Sequence, residues 1–150
     1  MIEEVDNREV VYVDMDDTIC KFRDAAWKAL HENPGNKWPQ SQYKFFENLE
    51  PIPGAIDGVN KLKTKYRVYI LTKPSVLNPL SYTEKRVWIE KHLGFEMCHS
   101  LILCPDKTIA RGNYLIDDVP QSGHFIPEWE HIHFGTEKFP DWESVLNYLM

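Results

Sequence analysis

Cysteine is sparse in this chain. Cys20, Cys98 and Cys104 form no CxxC pair and leave one thiol unmatched in any disulfide scheme. That excludes a disulfide scaffold and predicts a reducing cytoplasm. Basic residues are in deficit, 17 against 23 acidic, for a net charge of −6. A protein that grips duplex nucleic acid needs a basic face for the phosphates, so that class is set aside. No apolar run approaches membrane-spanning length. The stretch Met1-Ile2-Glu3-Glu4-Val5-Asp6 is acidic and lacks the apolar core of a signal peptide. Internal repeats and low-complexity tracts are missing too, which removes solenoids and linker-like chains.

What is present suits one domain over residues 1–150. A domain of this length buries about 68–70% of its unfolded surface and has room for a small insert. Five short apolar segments, Val10–Val13, Val68–Leu71, Leu101–Leu103, Tyr114–Ile116 and His131–Phe134, alternate mostly with helical stretches. That rhythm predicts an α/β fold with a five-stranded parallel sheet flanked by helices. One helix is expected over Tyr82–Leu93, with Ser81 and Glu84 as an S-x-x-E capping box and Gly94 as the stop. Another is expected from about Pro53 to Tyr66, and a last one over Trp142–Leu149 capped by Asp141. Residues 21–50 break the rhythm with Phe22, Trp27, Trp38, Tyr43, Phe45 and Phe46, an aromatic insert placed to cap the first strand's carboxyl end. Trp27, Trp88 and Trp142 sit at helix-like spacings and are expected to pack.

The first strand runs into Asp14-Met15-Asp16-Asp17-Thr18, and carboxylates there need water, a metal or a paired cation. Carboxyl-terminal strand ends of a parallel sheet open onto one ligand crevice. Four positions meet there: Asp14 with Asp16, Thr72, Lys107, and Asp117 with Asp118. Each has a bland alternative, as a turn residue, a helix cap or a solvated lysine. Together they form a set for phosphoryl transfer. Asp14 can attack phosphorus, and Asp16 can exchange protons, its pKa raised by the neighbouring Asp14 charge. Thr72 can hydrogen-bond a phosphoryl oxygen, while Lys107 bridges the phosphate and Asp14. Mg²⁺ would be held by Asp14, Asp117 and the Asp16 backbone carbonyl, with Asp118 orienting a ligand or a metal-bound water. His131 and His133 share a strand face but lack a third ligand at zinc spacing. Cys20 reads as a small buried residue.

Asp14-Met15-Asp16-Asp17-Thr18, Thr72, Lys107 and Ile116-Asp117-Asp118, in that order, resemble the four motifs of haloacid dehalogenase (HAD) superfamily phosphatases. A closer resemblance is to the 5′(3′)-deoxyribonucleotidases. It rests on Phe46-Glu47-Asn48-Leu49-Glu50-Pro51-Ile52-Pro53-Gly54-Ala55, Asp106-Lys107-Thr108, Trp88 through Gly94, and Trp129-Glu130-His131-Ile132. The resemblance implies a Rossmann-like HAD core with a small helical cap. It also implies Asp14 as nucleophile, Asp16 as acid and base, Thr72 and Lys107 as phosphate binders, and Asp14, Asp16 and Asp117 as Mg²⁺ ligands.

Phe22 and Phe46 match positions that pack around base and sugar, with cap core as their alternative. Lys85 matches a helical lysine near the phosphate, with a solvated helix face as its alternative. The chain departs from the pattern at Asp17, where glycine is usual, at Lys73, where serine is common, and at Pro105, where an arginine would face the phosphate. Lys73 offers a phosphate-binding charge in its place. The expected activity is Mg²⁺-dependent hydrolysis of deoxyribonucleoside monophosphates through an aspartyl phosphate. The rivals are another small phosphomonoester, a nucleic-acid end, and a binding module without turnover. The expected partner is a small nucleoside monophosphate, with no duplex nucleic acid and no membrane, and a homodimer is left open.

Overall fold

The computed structural model describes residues 4–150. The first three residues of the acidic N-terminal stretch lie outside them. Five strands, β1 (Val10–Val13), β2 (Arg67–Thr72), β3 (Leu101–Leu103), β4 (Arg111–Asp117) and β5 (Glu128–His133), form one parallel sheet in the order β3-β2-β1-β4-β5. All five expected strands are present, the last displaced so that it starts at Glu128 and ends at His133, before Phe134. Strands β2 and β4 are longer than their apolar cores, because pairing with β1 and β5 extends the ladders into polar residues.

Alternate residues of each strand face opposite sides. Val11, Val13, Val68, Ile70, Tyr114, Ile116 and Ile132 join the larger buried cluster. Tyr12, Tyr69, Leu71, Leu115 and Trp129 belong to a smaller one. The side chains that the helices contribute to buried clusters all fall in the larger. They come from α1 (Phe22–Glu32), α2 (Ala55–Leu62), α3 (Leu80–Leu93), α4 (Phe95–Cys98) and α5 (Trp142–Leu149).

The helix boundaries carry two corrections. The second helix starts at Ala55 instead of Pro53, because Gly54 sits in the left-handed region at φ 78° and cannot be a helical residue. It stops at Leu62, and turn hydrogen bonds carry the chain on to Tyr66. The expected capping box at Ser81 and Glu84 does not form, since α3 begins one residue before Ser81. The Leu80 N–H is instead accepted by Asn78 Oδ1 at 3.1 Å. Ser81 exchanges hydrogen bonds with the Ser75 backbone, and Glu84 turns inward. Asp141 caps α5 as expected, accepting the Ser144 N–H at 2.9 Å.

Two buried tryptophans tie loops to this frame. Trp142 Nε1 donates to the Thr18 carbonyl at 2.9 Å, and Trp88 Nε1 donates to the Leu49 carbonyl at 2.8 Å. Each anchors one end of the insert's surroundings, the loop after β1 in the first case and the return to α2 in the second. Trp27 does not pack: it is 64% exposed and stacks only on its neighbour His31, at 3.7 Å between ring centroids. Its helix, α1, lays just Phe22, Ala25, Ala26 and Ala29 against the core, which leaves the bulky face outward. No helix of the described residues is long and apolar enough to cross a membrane.

Candidate active site

Strand ends place the reactive groups. Asp14 follows β1, Thr72 ends β2, and Asp117 ends β4, while Lys107 opens a single 3-10 turn, Lys107–Ile109, after β3. Asp14, Lys107 and Asp117 line one open cleft of about 400 Å³ together with Asp16, Phe22, Arg23, Lys73, Asp118 and Gln121, while Thr72 lies buried against Lys85. The loop after β1 is closed by the Met15 carbonyl, which accepts from the N–H groups of Thr18, Ile19 and Cys20. Asp17 sits at φ 59°, the left-handed conformation that explains why glycine would suit the position. Asp17 Oδ1 accepts the N–H groups of Phe22 and Arg23 at 3.1 and 3.0 Å, so the aspartate caps α1 from outside the helix.

Two buried ammonium groups divide the carboxylates between them. Lys107 Nζ lies 2.7 Å from Asp14 Oδ1 and 2.7 Å from Asp117 Oδ2. Burial pulls its pKa down, but Asp14 and Asp117 more than reverse this and leave it raised. Lys85 Nζ donates to Thr72 Oγ1 at 2.6 Å and to Asp16 Oδ2 at 3.0 Å, and its side chain is fully buried. The solvated-face alternative for Lys85 is therefore overturned: it stands in the inward stripe Ser81, Glu84, Lys85, Trp88, Ile89. Burial raises the Asp16 carboxyl above its ordinary pKa; Asp14 adds to the shift and Lys85 opposes it. The Cys20 thiol points at Asp16 Oδ1 from 3.6 Å, and the residue is buried as expected.

The acidic cluster gains one carboxylate over the sequence expectation. Carboxylate oxygens of Asp14, Asp117 and Asp118 lie within 4.8 Å of one another. Asp118 therefore belongs to the ring itself, whereas the Asp16 carboxylate is committed to Lys85. Burial, then the Asp14 charge, pushes the Asp118 carboxyl up to about 8, and the same two causes raise Asp117 against the pull of Lys107. Like charges held together out of water favour a cation between them. Gln121 bonds Asp117 Oδ2 through Nε2 at 3.0 Å, and its buried Oε1 has no hydrogen-bond partner among the described residues. An all-oxygen ring with a spare acceptor beside it fits a hard divalent ion such as Mg²⁺ and its waters.

The aromatic pair is split. Phe22 is half-buried and lines the cleft. Phe46 is 3% exposed and stacks on Phe22 at 5.9 Å, so it is cap core supporting the wall. Lys73 is exposed at the rim.

A family model described as "5' nucleotidase, deoxy (Pyrimidine), cytosolic type C protein" matches residues 36–137. The chain belongs to this family. A Vibrio phage KVP40 protein named "Putative 5'(3')-deoxyribonucleotidase" is 35% identical over 95% of this chain and 85% of its own length. The human cytosolic-type 5'(3')-deoxyribonucleotidase is 40% identical over 71% of this chain, which spans only half of the human protein. Among solved structures, the Bacillus subtilis "putative HAD-hydrolase YfnB", bound to magnesium, has the same fold: TM-score 0.53 at 14% identity, covering 96% of this chain and 99% of that one.

Within this member of the nucleotidase family, sequence reasoning missed three sets of residues. Arg23 donates to Asp118 Oδ2 at 3.1 Å and pairs with Asp17 at 3.4 Å, bringing a cation to the cleft mouth. Its place one residue after Phe22, on the turn that Asp17 caps, was the available signal. His131 and His133 direct Nε2 at the carbonyls of Asp117 and Asp118, each at 3.0 Å. A carbonyl only accepts, so both imidazoles carry their proton on Nε2 and brace the backbone beneath the acidic ring. Their shared strand face was visible in the sequence, but its target was not. Glu84 is the third.

Proposed function

We propose that this chain is a Mg²⁺-dependent phosphatase of deoxyribonucleoside 5′- and 3′-monophosphates that carries the phosphoryl group on Asp14. The observation that supports it most is the division of labour in the cleft. Asp14 is held by Lys107 beside the acidic ring, while Asp16, two residues on, is held by Lys85 on the opposite flank.

An Asp14 carboxylate oxygen attacks phosphorus as the bond to the leaving oxygen breaks, and Asp16 gives that oxygen its proton. Water then attacks phosphorus, Asp16 takes a proton from it, and the bond from phosphorus to Asp14 breaks, freeing phosphate and restoring the Asp14 carboxylate and the Asp16 carboxylic acid. Lys107, Thr72 and Lys85 meet the phosphoryl oxygens, and Lys73 adds charge from the rim. Asp14, Asp117 and Asp118, with the Asp16 carbonyl, would hold Mg²⁺, which supplies neutralisation of phosphoryl charge when bound. Phe22, backed by Phe46, offers a ring face to the base.

Phosphate release from a panel of phosphomonoesters tests the substrate. Deoxyribonucleoside monophosphates should exceed sugar phosphates in kcat/KM. Phe22→Ala should raise KM for the nucleotide by the loss of a stack worth about 1–3 kcal/mol. para-Nitrophenyl phosphate should lose far less. Equal use of sugar phosphates, or an unchanged nucleotide KM in folded Phe22→Ala, would leave only a generic phosphatase. Chelation with EDTA should silence the enzyme, and Mg²⁺ should restore it where Ca²⁺, with its looser and higher coordination, does not. Full activity in chelator would remove the metal from the account.

A further inference from the structure

We propose that Glu84 is a positioning residue that sets the distance between the aromatic wall of the cap and the phosphate end of the cleft, and so selects for a nucleoside. The inference rests on the nucleotidase reading above. Glu84 is 4% exposed, and its carboxylate accepts the backbone N–H groups of Lys44, Phe46 and Glu47 at 3.2, 3.1 and 3.5 Å. All three donors belong to the cap insert, whereas Glu84 belongs to core helix α3. Charge-assisted bonds of this kind are the strong ones, and a buried carboxylate without them would be costly. Lys44 sits at φ 63°, a conformation a lysine keeps only where its surroundings hold it.

A second core side chain reaches the same insert. Asn78, 5% exposed, donates from Nδ2 to the Gln40 carbonyl at 2.9 Å. The residue after Glu84 is Lys85, which holds Asp16 and Thr72 and lies 5.1 Å from the Phe46 ring centroid. One helical turn therefore fixes two things at once. Glu84 fixes the Phe46 backbone, and with it the ring on which Phe22 stacks; Lys85 fixes the acid and the phosphate-binding threonine. A substrate that spans both ends feels their separation, and a small ester that reaches only the phosphate end does not.

Glu84→Gln keeps the size of the side chain but turns one acceptor into a donor, so at least one of the three amides loses its partner. The test measures steady-state kinetics and amide hydrogen exchange on the purified full chain with Mg²⁺. KM for a deoxyribonucleoside monophosphate should rise about tenfold or more, the loss of one charge-assisted bond. kcat/KM for para-nitrophenyl phosphate should hold within about threefold, and the amides of Lys44, Phe46 and Glu47 should exchange faster. Asn78→Asp, which keeps the acceptor for Leu80 but loses the donor to Gln40, should show the same split and serves if Glu84→Gln does not fold. An unchanged nucleotide KM alongside faster exchange overturns the positioning role. A parallel fall with both substrates overturns it too, because Glu84 then serves the fold alone. Wild-type protein without any nucleoside monophosphate turnover would instead overturn the nucleotidase reading itself.

Discussion

Asp14→Asn should leave no measurable turnover of any phosphomonoester. An amide oxygen is a poor nucleophile, and the same change withdraws one charge from the acidic ring formed with Asp117 and Asp118. It also leaves Lys107 with one carboxylate where it had two. The variant should nevertheless fold. Asparagine fills the same volume, the Asp14 N–H bond to the Ile116 carbonyl at 2.9 Å is backbone only, and relieving like-charge crowding favours the folded state. Phosphate release by purified, cooperatively melting Asp14→Asn protein is the measurement. Near-wild-type release would remove the covalent step from the mechanism.

Asp16→Asn should slow turnover of a nucleoside monophosphate by about 10²–10⁴-fold, the usual worth of a positioned acid and base. Burial raises its pKa against the pull of Lys85, with Asp14 adding to the rise, and Lys85 at 3.0 Å holds the group in place. The two steps should respond differently when the leaving group needs no proton. With para-nitrophenyl phosphate, Asp16→Asn should release one equivalent of nitrophenolate per enzyme quickly and then stall, because the attacking water has lost its base. A uniform slowing with no burst would place Asp16 in a purely structural role.

The parts of this site that follow from strand geometry were legible in the sequence. A β-branched strand ending in carboxylates announces a ligand crevice, and β1 delivers Asp14 there just as β4 delivers Asp117. The parts that depend on which way a helix is rolled were not. Glu84 reads as a cap, and the family resemblance alone, not the helix pattern, draws Lys85 toward the phosphate, because charged side chains usually face water. In the fold they form the polar half of an inward stripe whose apolar half is Trp88 and Ile89. Each is buried because its partner comes from far along the chain: the insert's amides for one, Asp16 for the other. Asp118 joins the carboxylates of Asp14 and Asp117 because it directly follows Asp117 at the end of β4, while the Asp16 carboxylate pairs with Lys85. Trp27 misled in the opposite direction, its spacing suggesting a packed face on a helix that offers the core mostly alanine.

The central claim is that phosphorus is transferred to Asp14, and mass spectrometry of Asp16→Asn tests it most directly. The protein is quenched in acid after reaction with para-nitrophenyl phosphate and Mg²⁺, then digested. The account predicts one added phosphoryl group on the peptide containing Asp14, localised to that side chain and absent when Asp14 is also asparagine. A burst with the phosphoryl group on another residue, or turnover with no covalent adduct under any quench, would contradict it.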